Sequence, residues 1–368
     1  MKIALLITGL GMGGAEKQVC DLADRFAMQN HEVLILYLFG NAILTPKDST
    51  ISVVGFKMKK TPLSFITTYL SIRKVLQEFK PDIVHSHMVH ANFMARLIRL
   101  TLKMRRLICT AHNTNEGGRM RMWFYRITDP LCELSTNVSQ EAVDVFVAKK
   151  AVPKNKMITV YNGIDTDRFG FDENARMALR SNANIVDSTK LLLCVGRLHV
   201  QKGYPNMLHA FALALAKNHN LILWIVGDGE EKESLVELCQ KLNITNKVYF
   251  LGVRHDIPEL MSACDLFCLS SAFEGFGLVV AEAMACERPV VATNCGGVKE
   301  VVGEQGILVS PNSPEGLAQG IEKILQLSLS ESYVMTIKAR QRVLQSFSLD
   351  AVSCQWLNLY SNDSSEIL

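Results

Sequence analysis

At 368 residues the chain is longer than one hydrophobic core usually grows, and with 48% hydrophobic residues it is too apolar to be disordered, so two globular domains are expected. The net charge of +3 is unevenly placed: residues 1–165 carry 22 Lys+Arg against 13 Asp+Glu (+9), and residues 166–368 carry 17 against 23 (−6), which points the first half toward something anionic, a phosphate or a lipid headgroup surface. Ten scattered cysteines without a C-x-x-C pair argue against a disulfide framework or zinc ribbon and for a reducing cytoplasm, and no apolar run reaches the roughly 18–20 residues of a membrane span.

The N-terminal MKIALLITGLGMGG imitates a secretion signal, with Lys2 before an apolar run. It flows into an amphipathic helix without a cleavage motif, however, and reads as a first strand and its loop. Strand-like runs follow at 2–8, 32–38, 51–54, 82–87, 107–111 and 157–161, then at 191–196, 221–227, 248–252, 265–270, 289–293 and 307–310. They are nearly continuous in apolar residues, as parallel strands covered on both faces are. Helix-length segments separate them; in 15–28, Val19, Leu22, Ala23 and Phe26 follow helical spacing. Residues 162–190 are polar and lack strand-like runs, and the alternation restarts after them. The expected architecture is α/β: two doubly wound, Rossmann-like domains, 1–161 and 162–368, facing each other across a cleft lined by the carboxyl ends of their strands.

Several motifs stand at those strand ends. GLGMGGAEK holds Gly9, Gly11 and Gly14 between a strand and a helix, where backbone N–H groups can approach a diphosphate. A dinucleotide site would add an acid at the end of the second strand; the run there is LYLFGN, which counts against NAD. A plain tight turn is the other reading of that loop. HSHMVH places His85 and His87 on one strand face with His90 beyond; without a neighbouring Cys or Asp cluster, cleft lining suits them better than a metal. RLIRLTLKMRRLI (96–108) and GGRMRMWFYRI (117–127) interleave cations with apolar and aromatic residues. They read either as solvated helix faces or as a peripheral contact with an anionic membrane surface. No basic stripe accompanies a stacking platform, so nucleic acid is not expected as a partner.

In VGRLHVQKGY, Arg197 and Lys202 flank the loop after the first strand of the second half, where two cations can converge on phosphate oxygens. Surface cations in a loop are more often simply solvated. SAFEGFGLVVAEAMACERPVVATNCGG (271–297) raises the sharper question. Around Glu282 the helix is apolar or small on every face, so a carboxylate there is costly unless hydrogen-bonded. One answer is a structural glutamate bonded within the fold; the other is a partner for a ligand's vicinal hydroxyls. Glu282 lies about 6 Å along the axis from Leu278, at ~1.5 Å per residue, within reach of whatever borders the helix start. Gly275 and Gly277 leave N–H groups open there, and Glu274 stands just before them.

SAFEGFGLVVAEAMACERPVVAT resembles the signature of the large retaining glycosyltransferase family four, which has the GT-B fold. GMGGAEKQVCDLADRF, VYNGIDTDRF, VGRLHVQKG, LGVRHDIPELMSACDLF and GGVKEVV are similar to that family's motifs in the same order, and together they span nearly the whole chain. The resemblance implies that Glu282 holds the ribose hydroxyls of a nucleotide-sugar donor and that Arg197 and Lys202 neutralise its diphosphate. It implies that Glu274, with the backbone of Gly275, Phe276 and Gly277 and the adjoining Leu278, binds the transferred sugar, and that Arg254 lies in the nucleobase wall. Gly13 and Gly14 would approach the diphosphate and the acceptor, and His112, in TAHNTNEG, would contact the sugar near its anomeric centre. Without the resemblance His112 would pass as a loop histidine of no consequence.

The implied chemistry is hexosyl transfer by front-face substitution, with the cations in a metal's place and therefore no metal or other cofactor. The implied partners are a nucleotide sugar, by family preference UDP-linked, and a glycan or lipid-linked glycan acceptor. The implied setting is the cytoplasm, peripheral to the inner face of the cell membrane. Two other readings remain open here. A nucleotide-sugar epimerase also uses two facing Rossmann domains, and a non-catalytic nucleotide-binding subunit is disfavoured by the presence together of Arg197, Lys202, Glu274 and Glu282.

Overall fold

A computed structural model describes residues 1–114 and 116–361; Asn115 of TAHNTNEG and residues 362–368 of the expected second domain lie outside the described residues. The chain divides into two compact units, residues 1–163 with 349–368, and residues 164–348.

In the first unit the parallel strands β1 (Lys2–Gly9), β2 (Glu32–Phe39), β3 (Ser52–Gly55), β4 (Ile83–His87), β5 (Leu107–Ala111), β6 (Leu134–Asn137) and β7 (Met157–Thr159) lie in the order 3-2-1-4-5-6-7. Between them run α1 (Gly14–Met28), α2 (Pro62–Phe79), α3 (Val89–Arg99), α4 (Gly118–Thr128) and α5 (Gln140–Ala148). The absence of polar alternation has its cause here: Ile3, Leu5 and Ile7 of β1 pack beneath α1, while Ala4 and Leu6 pack on α2 and α3, so both faces of the strand are dry. β6, missing from the expected strands, reads LSTN. Its polar residues are satisfied inside, Ser135 Oγ by Arg96 and Asp129 (2.9 Å each) and Thr136 Oγ1 by Thr110 Oγ1 (2.7 Å).

The second unit begins with α6 (Glu173–Asn182), inside the segment expected to be a plain connector. Asp172 caps it, accepting from the N–H groups of Asn174 and Ala175. Arg176 and Arg180 then reach the two carboxylate oxygens of Asp265 at 2.6 and 3.0 Å. Strands β8 (Lys190–Val195), β9 (Leu221–Val226), β10 (Val248–Gly252), β11 (Leu266–Leu269), β12 (Val290–Thr293) and β13 (Ile307–Val309) form a parallel sheet in the order 10-9-8-11-12-13. Its helices are α7 (Tyr204–Lys217), α8 (Lys232–Lys241), α9 (Ile257–Ala263), α10 (Leu278–Ala285), α11 (Val298–Val302), α12 (Pro314–Leu325) and α13 (Leu329–Ser346).

The last helix, α14 (Leu349–Ser361), corrects the expected domain limits. It belongs to the first unit, where Val352, Trp356, Leu359 and Tyr360 join the core formed by α1 and β1. Its apolar spacing shows that it is buried but not on which sheet.

In each unit the strand order reverses once, between β1 and β4 and between β8 and β11. Loops leaving the strands on either side of such a reversal splay apart, and the crevice at their carboxyl ends is where open α/β sheets receive ligands. GLGMGG and HSHMVH leave one reversal; VGRLHVQKGY and SAFEGFG leave the other.

Candidate functional site

In the second unit the loops after β8, β9, β11 and β12 are tied to one another. Ala272 donates to the Gln201 carbonyl (2.9 Å), Ser270 Oγ to that of Lys202 (2.9 Å), and Gly297 to that of Gly275 (3.2 Å). Gly277 starts α10 at φ +93°, a left-handed conformation that disfavours any side chain. Gly296, at φ +55°, lies so close to the Glu274 carbonyl that a Cβ would collide with it.

The tied loops bring Lys202 and Glu274 together: Nζ donates to Oε1 at 2.6 Å, and Ser271 Oγ donates to the same oxygen at 2.7 Å. Both side chains are largely buried. Arg197 is held elsewhere. Its guanidinium pairs with Glu230 at 3.2 Å, and His199 Nε2 approaches that carboxylate at 3.5 Å, all on the exposed side of the loop. The two cations therefore share a loop but each has a carboxylate of its own. Arg254 forms a two-pronged pair with Asp256, which precedes α9; bonding from that guanidinium holds the Asp256 carboxyl below its usual range. Glu282 sits within α10, 7% exposed, among the fully buried Val280, Ala281, Ala283, Met284 and Ala285. Phe276 is buried against Phe347 and Leu278 is half-buried.

In the first unit Gly13 precedes and Gly14 opens α1, whose first turn holds Glu16. The Glu16 carboxylate folds back over Gly13, occupying the space a Cβ there would fill, and burial raises its pKa. The helix start expected to approach phosphate thus already carries an acid.

His112 follows β5 and is buried. Desolvation lowers its pKa to about 4, keeping the imidazole neutral near pH 7. Its Nε2 lies 3.1 Å from Nδ1 of His87, and its backbone N–H donates to Glu116 Oε1 at 3.1 Å. Tyr125 OH donates to Glu116 Oε2 at 2.5 Å, and Asn92 Nδ2 donates to Tyr125 OH at 3.1 Å. Neither His87 nor Glu116 was singled out in the sequence as a partner of His112. A signal existed for Glu116, an acid four residues past the histidine in a glycine-bounded loop; the register that brings His87 alongside has no local signature.

His85 has both ring nitrogens engaged, with Tyr360 OH (2.7 Å) and Thr110 Oγ1 (2.6 Å). Among the described residues no group of three or more His, Cys, Asp and Glu side chains is arranged to hold a metal ion.

The basic segment 96–108 departs from the membrane-facing expectation. Arg96 is fully buried beside Asp129 at 3.5 Å, Arg99 pairs with Glu133, and Arg105 pairs with Asp82 at 3.1 Å. The segment 117–127 does expose its mixed face: on α4, Met120, Trp123, Phe124 and Ile127 stand outward with Arg119, Arg121 and Arg126. No helix among the described residues is long and apolar enough to cross a membrane.

Residues 12–168 match the family model described as Glycosyltransferase Family 4, and residues 176–342 match that of Glycosyl transferases group 1. An uncharacterized glycosyltransferase of Methanocaldococcus jannaschii is 28% identical, over 76% of this chain and 75% of its own. The N-acetylgalactosamine-N,N'-diacetylbacillosaminyl-diphospho-undecaprenol 4-alpha-N-acetylgalactosaminyltransferase of Campylobacter jejuni is 25% identical over 97% and 99%. Among solved structures, Anabaena HepE in complex with UDP and glucose superposes with a TM-score of 0.84, at 23% identity over 98% of this chain and 100% of that one.

Proposed function

The chain belongs to glycosyltransferase family four and has the GT-B fold, and from that premise we propose that it is a retaining hexosyltransferase. It takes a hexose or N-acetylhexosamine from a UDP-linked donor to a hydroxyl of a lipid-linked glycan, in bacterial surface polysaccharide synthesis. The observation that carries this reading is the Lys202–Glu274–Ser271 cluster beside the glycine-bounded start of α10, at the strand reversal of the second unit. The complex of HepE with UDP and glucose supports the choice of UDP, and the diphospho-undecaprenol in the Campylobacter relative's name supports a lipid carrier.

In the proposed reaction the bond between the anomeric carbon and the diphosphate breaks with its electron pair leaving on the phosphate oxygen. The acceptor oxygen joins the same face of that carbon, and its proton passes to the departing diphosphate. Arg197 and Lys202 stabilise the charge that develops there. Positioning supplies the rest: Glu282 for the ribose, Glu274 with Gly275, Phe276, Gly277 and Leu278 for the sugar, Arg254 beside the base, and His112, Gly13 and Gly14 from the first unit. With two cations on the leaving group the scheme calls for no metal or other cofactor. The exposed face of α4 would rest on an anionic inner-leaflet surface from the cytoplasmic side.

Calorimetric titration of UDP, GDP and NAD into the wild type and Glu282→Ala tests the donor site. UDP binding that weakens about 10- to 100-fold in the variant is expected, as for a lost hydrogen bond to a charged group. Tight NAD binding, or UDP affinity indifferent to Glu282, would overturn it.

A further inference from the structure

The register of β4 and β5 sets His87 opposite Thr110, two residues before His112, and so brings two histidine rings side by side at the strand ends. They touch through His87 Nδ1 and His112 Nε2, 3.1 Å apart, with ring centroids separated by 5.4 Å. The His85 ring lies against His87, tilted by 39°, with centroids 4.0 Å apart. Because both His85 nitrogens are taken by Tyr360 and Thr110, it packs against the pair without bonding to it.

Two nitrogens remain. His87 Nε2 and His112 Nδ1 are buried and have no hydrogen-bond partner among the described residues. Burial keeps both imidazoles neutral, and a neutral imidazole carries a single N–H. The contact between the rings therefore uses one donor and one acceptor, which leaves the outer nitrogens as one of each. If His87 donates, His112 Nδ1 carries the hydrogen and can only donate outward. If His112 donates, its Nδ1 can only accept, and His87 Nε2 becomes the outward donor. One choice fixes the hydrogen-bonding character of both.

The backbone of His112 is pinned independently. Glu116 Oε1 accepts its N–H, and the Glu116 carboxylate is held in turn by Tyr125, itself bonded to Asn92 on α3. Ring orientation and backbone position are thus set by different side chains, and among the described residues His87 is the hydrogen-bond partner of the ring.

Resting on the assignment of His112 to the transferred sugar, we propose that His87 is a positioning residue whose tautomer is locked to that of His112, so that the two rings together set whether Nδ1 gives or receives the hydrogen bond to a sugar hydroxyl. A histidine serving only to fill the core would leave the two tautomers uncoupled.

The experiment uses the full chain with ring-15N histidine. Two-bond 15N–1H spectra assign the His87 and His112 tautomers in the wild type, and that of His112 in His87→Phe, which keeps a ring but cannot bond, and in His87→Asn, which can. Transfer kinetics and UDP affinity are measured on the same proteins. In the wild type the His87 and His112 rings should carry the same tautomer, both Nδ1–H or both Nε2–H. His87→Phe should shift the His112 tautomer population, with kcat/KM lowered about 2- to 10-fold, the worth of a hydrogen bond of ordinary strength, and UDP affinity unchanged. His87→Asn should recover much of the lost rate.

Unlike tautomers on the two rings of the wild type would overturn the proposal, as would a Phe variant with wild-type spectrum and rate. If the Phe variant does not fold, shown by lost UDP binding and melting, the wild-type spectrum and the Asn variant decide. A wild type that neither binds UDP nor transfers sugar would sink the functional assignment instead, and the spectra would still judge the link between the two rings.

Discussion

In the first unit the candidate side chains are histidines sealed from water, neutral, and fixed by hydrogen bonds to one another and to Glu116, Tyr360 and Thr110. In the second unit they are cations at strand ends, each matched to a carboxylate: Lys202 to Glu274 in a largely buried pair, Arg197 to Glu230 in an exposed one. One sheet end is thus tuned by desolvation and the other by charge. A group of the first kind answers to pH, because burial penalises its ionised form. A group of the second kind answers to competing anions, because its partner is replaceable.

The largest effect is expected from Lys202→Ala. It removes a cation from the departing diphosphate and also leaves Glu274 without its buried partner, so kcat should fall about 10²–10³-fold, the range for loss of a charge-stabilising donor. Steady-state rates with retained UDP binding would check this, and an active variant would break the contrast at its strongest point.

Next comes acid stability. Burial lowers the pKa of His112 to about 4 and holds His85 and His87 well below their usual 6.5. From about pH 6.5 downward the unfolded chain binds more protons than the folded one at these sites, so stability is full above that pH and is lost as pH falls. The slope is at most about 1.4 kcal/mol per pH unit for each group. Glu116, whose pKa burial raises, opposes the trend by taking its proton first in the folded state. Urea unfolding at pH 7 and pH 5 should show a loss of about 2–4 kcal/mol at the lower pH. A flat profile would mean that the first unit is not organised by desolvation.

The outward face of the first unit gives a third test. Charge reversal at Arg119 and Arg121 should weaken binding to phosphatidylserine-containing vesicles by roughly tenfold or more, at about 1 kcal/mol per cation near such a surface. Unchanged co-sedimentation would leave α4 without that partner. The smallest effect belongs to Glu230→Gln, which frees Arg197 from an exposed pair. UDP should bind about two- to threefold more tightly, as suits the small worth of surface ion pairs, and the gain should vanish at high salt.

Where hydrophobic runs define the elements, the sequence was a sufficient guide: twelve strand-like runs lie on strands of the structure, and the glycine-rich loops fall at strand ends. β6 escaped because its Ser-Thr-Asn content is stabilised by partners distant in sequence, Arg96 and Thr110. α6 escaped because its buried face is made by arginines that pair with Asp265. α14 was legible as a helix but not as part of the first unit, since its choice of sheet is a matter of tertiary packing. At the site, residue types and order were legible and pairings were not. Nothing local in VGRLHVQKGY announces that Lys202 meets Glu274 while Arg197 turns to Glu230. The same holds for His87 and His112, which are joined by strand register.

The return of α14 to the first unit also sets an order of assembly during synthesis. The first unit is discontinuous along the chain: Val352, Trp356 and Tyr360 complete a core begun by Ile3 and Phe26. Residues 164–348, by contrast, are contiguous and lie wholly upstream of that helix. On the ribosome the second unit can therefore close its core while the first still lacks α14, whose residues Val352, Trp356 and Tyr360 cover the apolar surface of α1 and β1 only once they emerge.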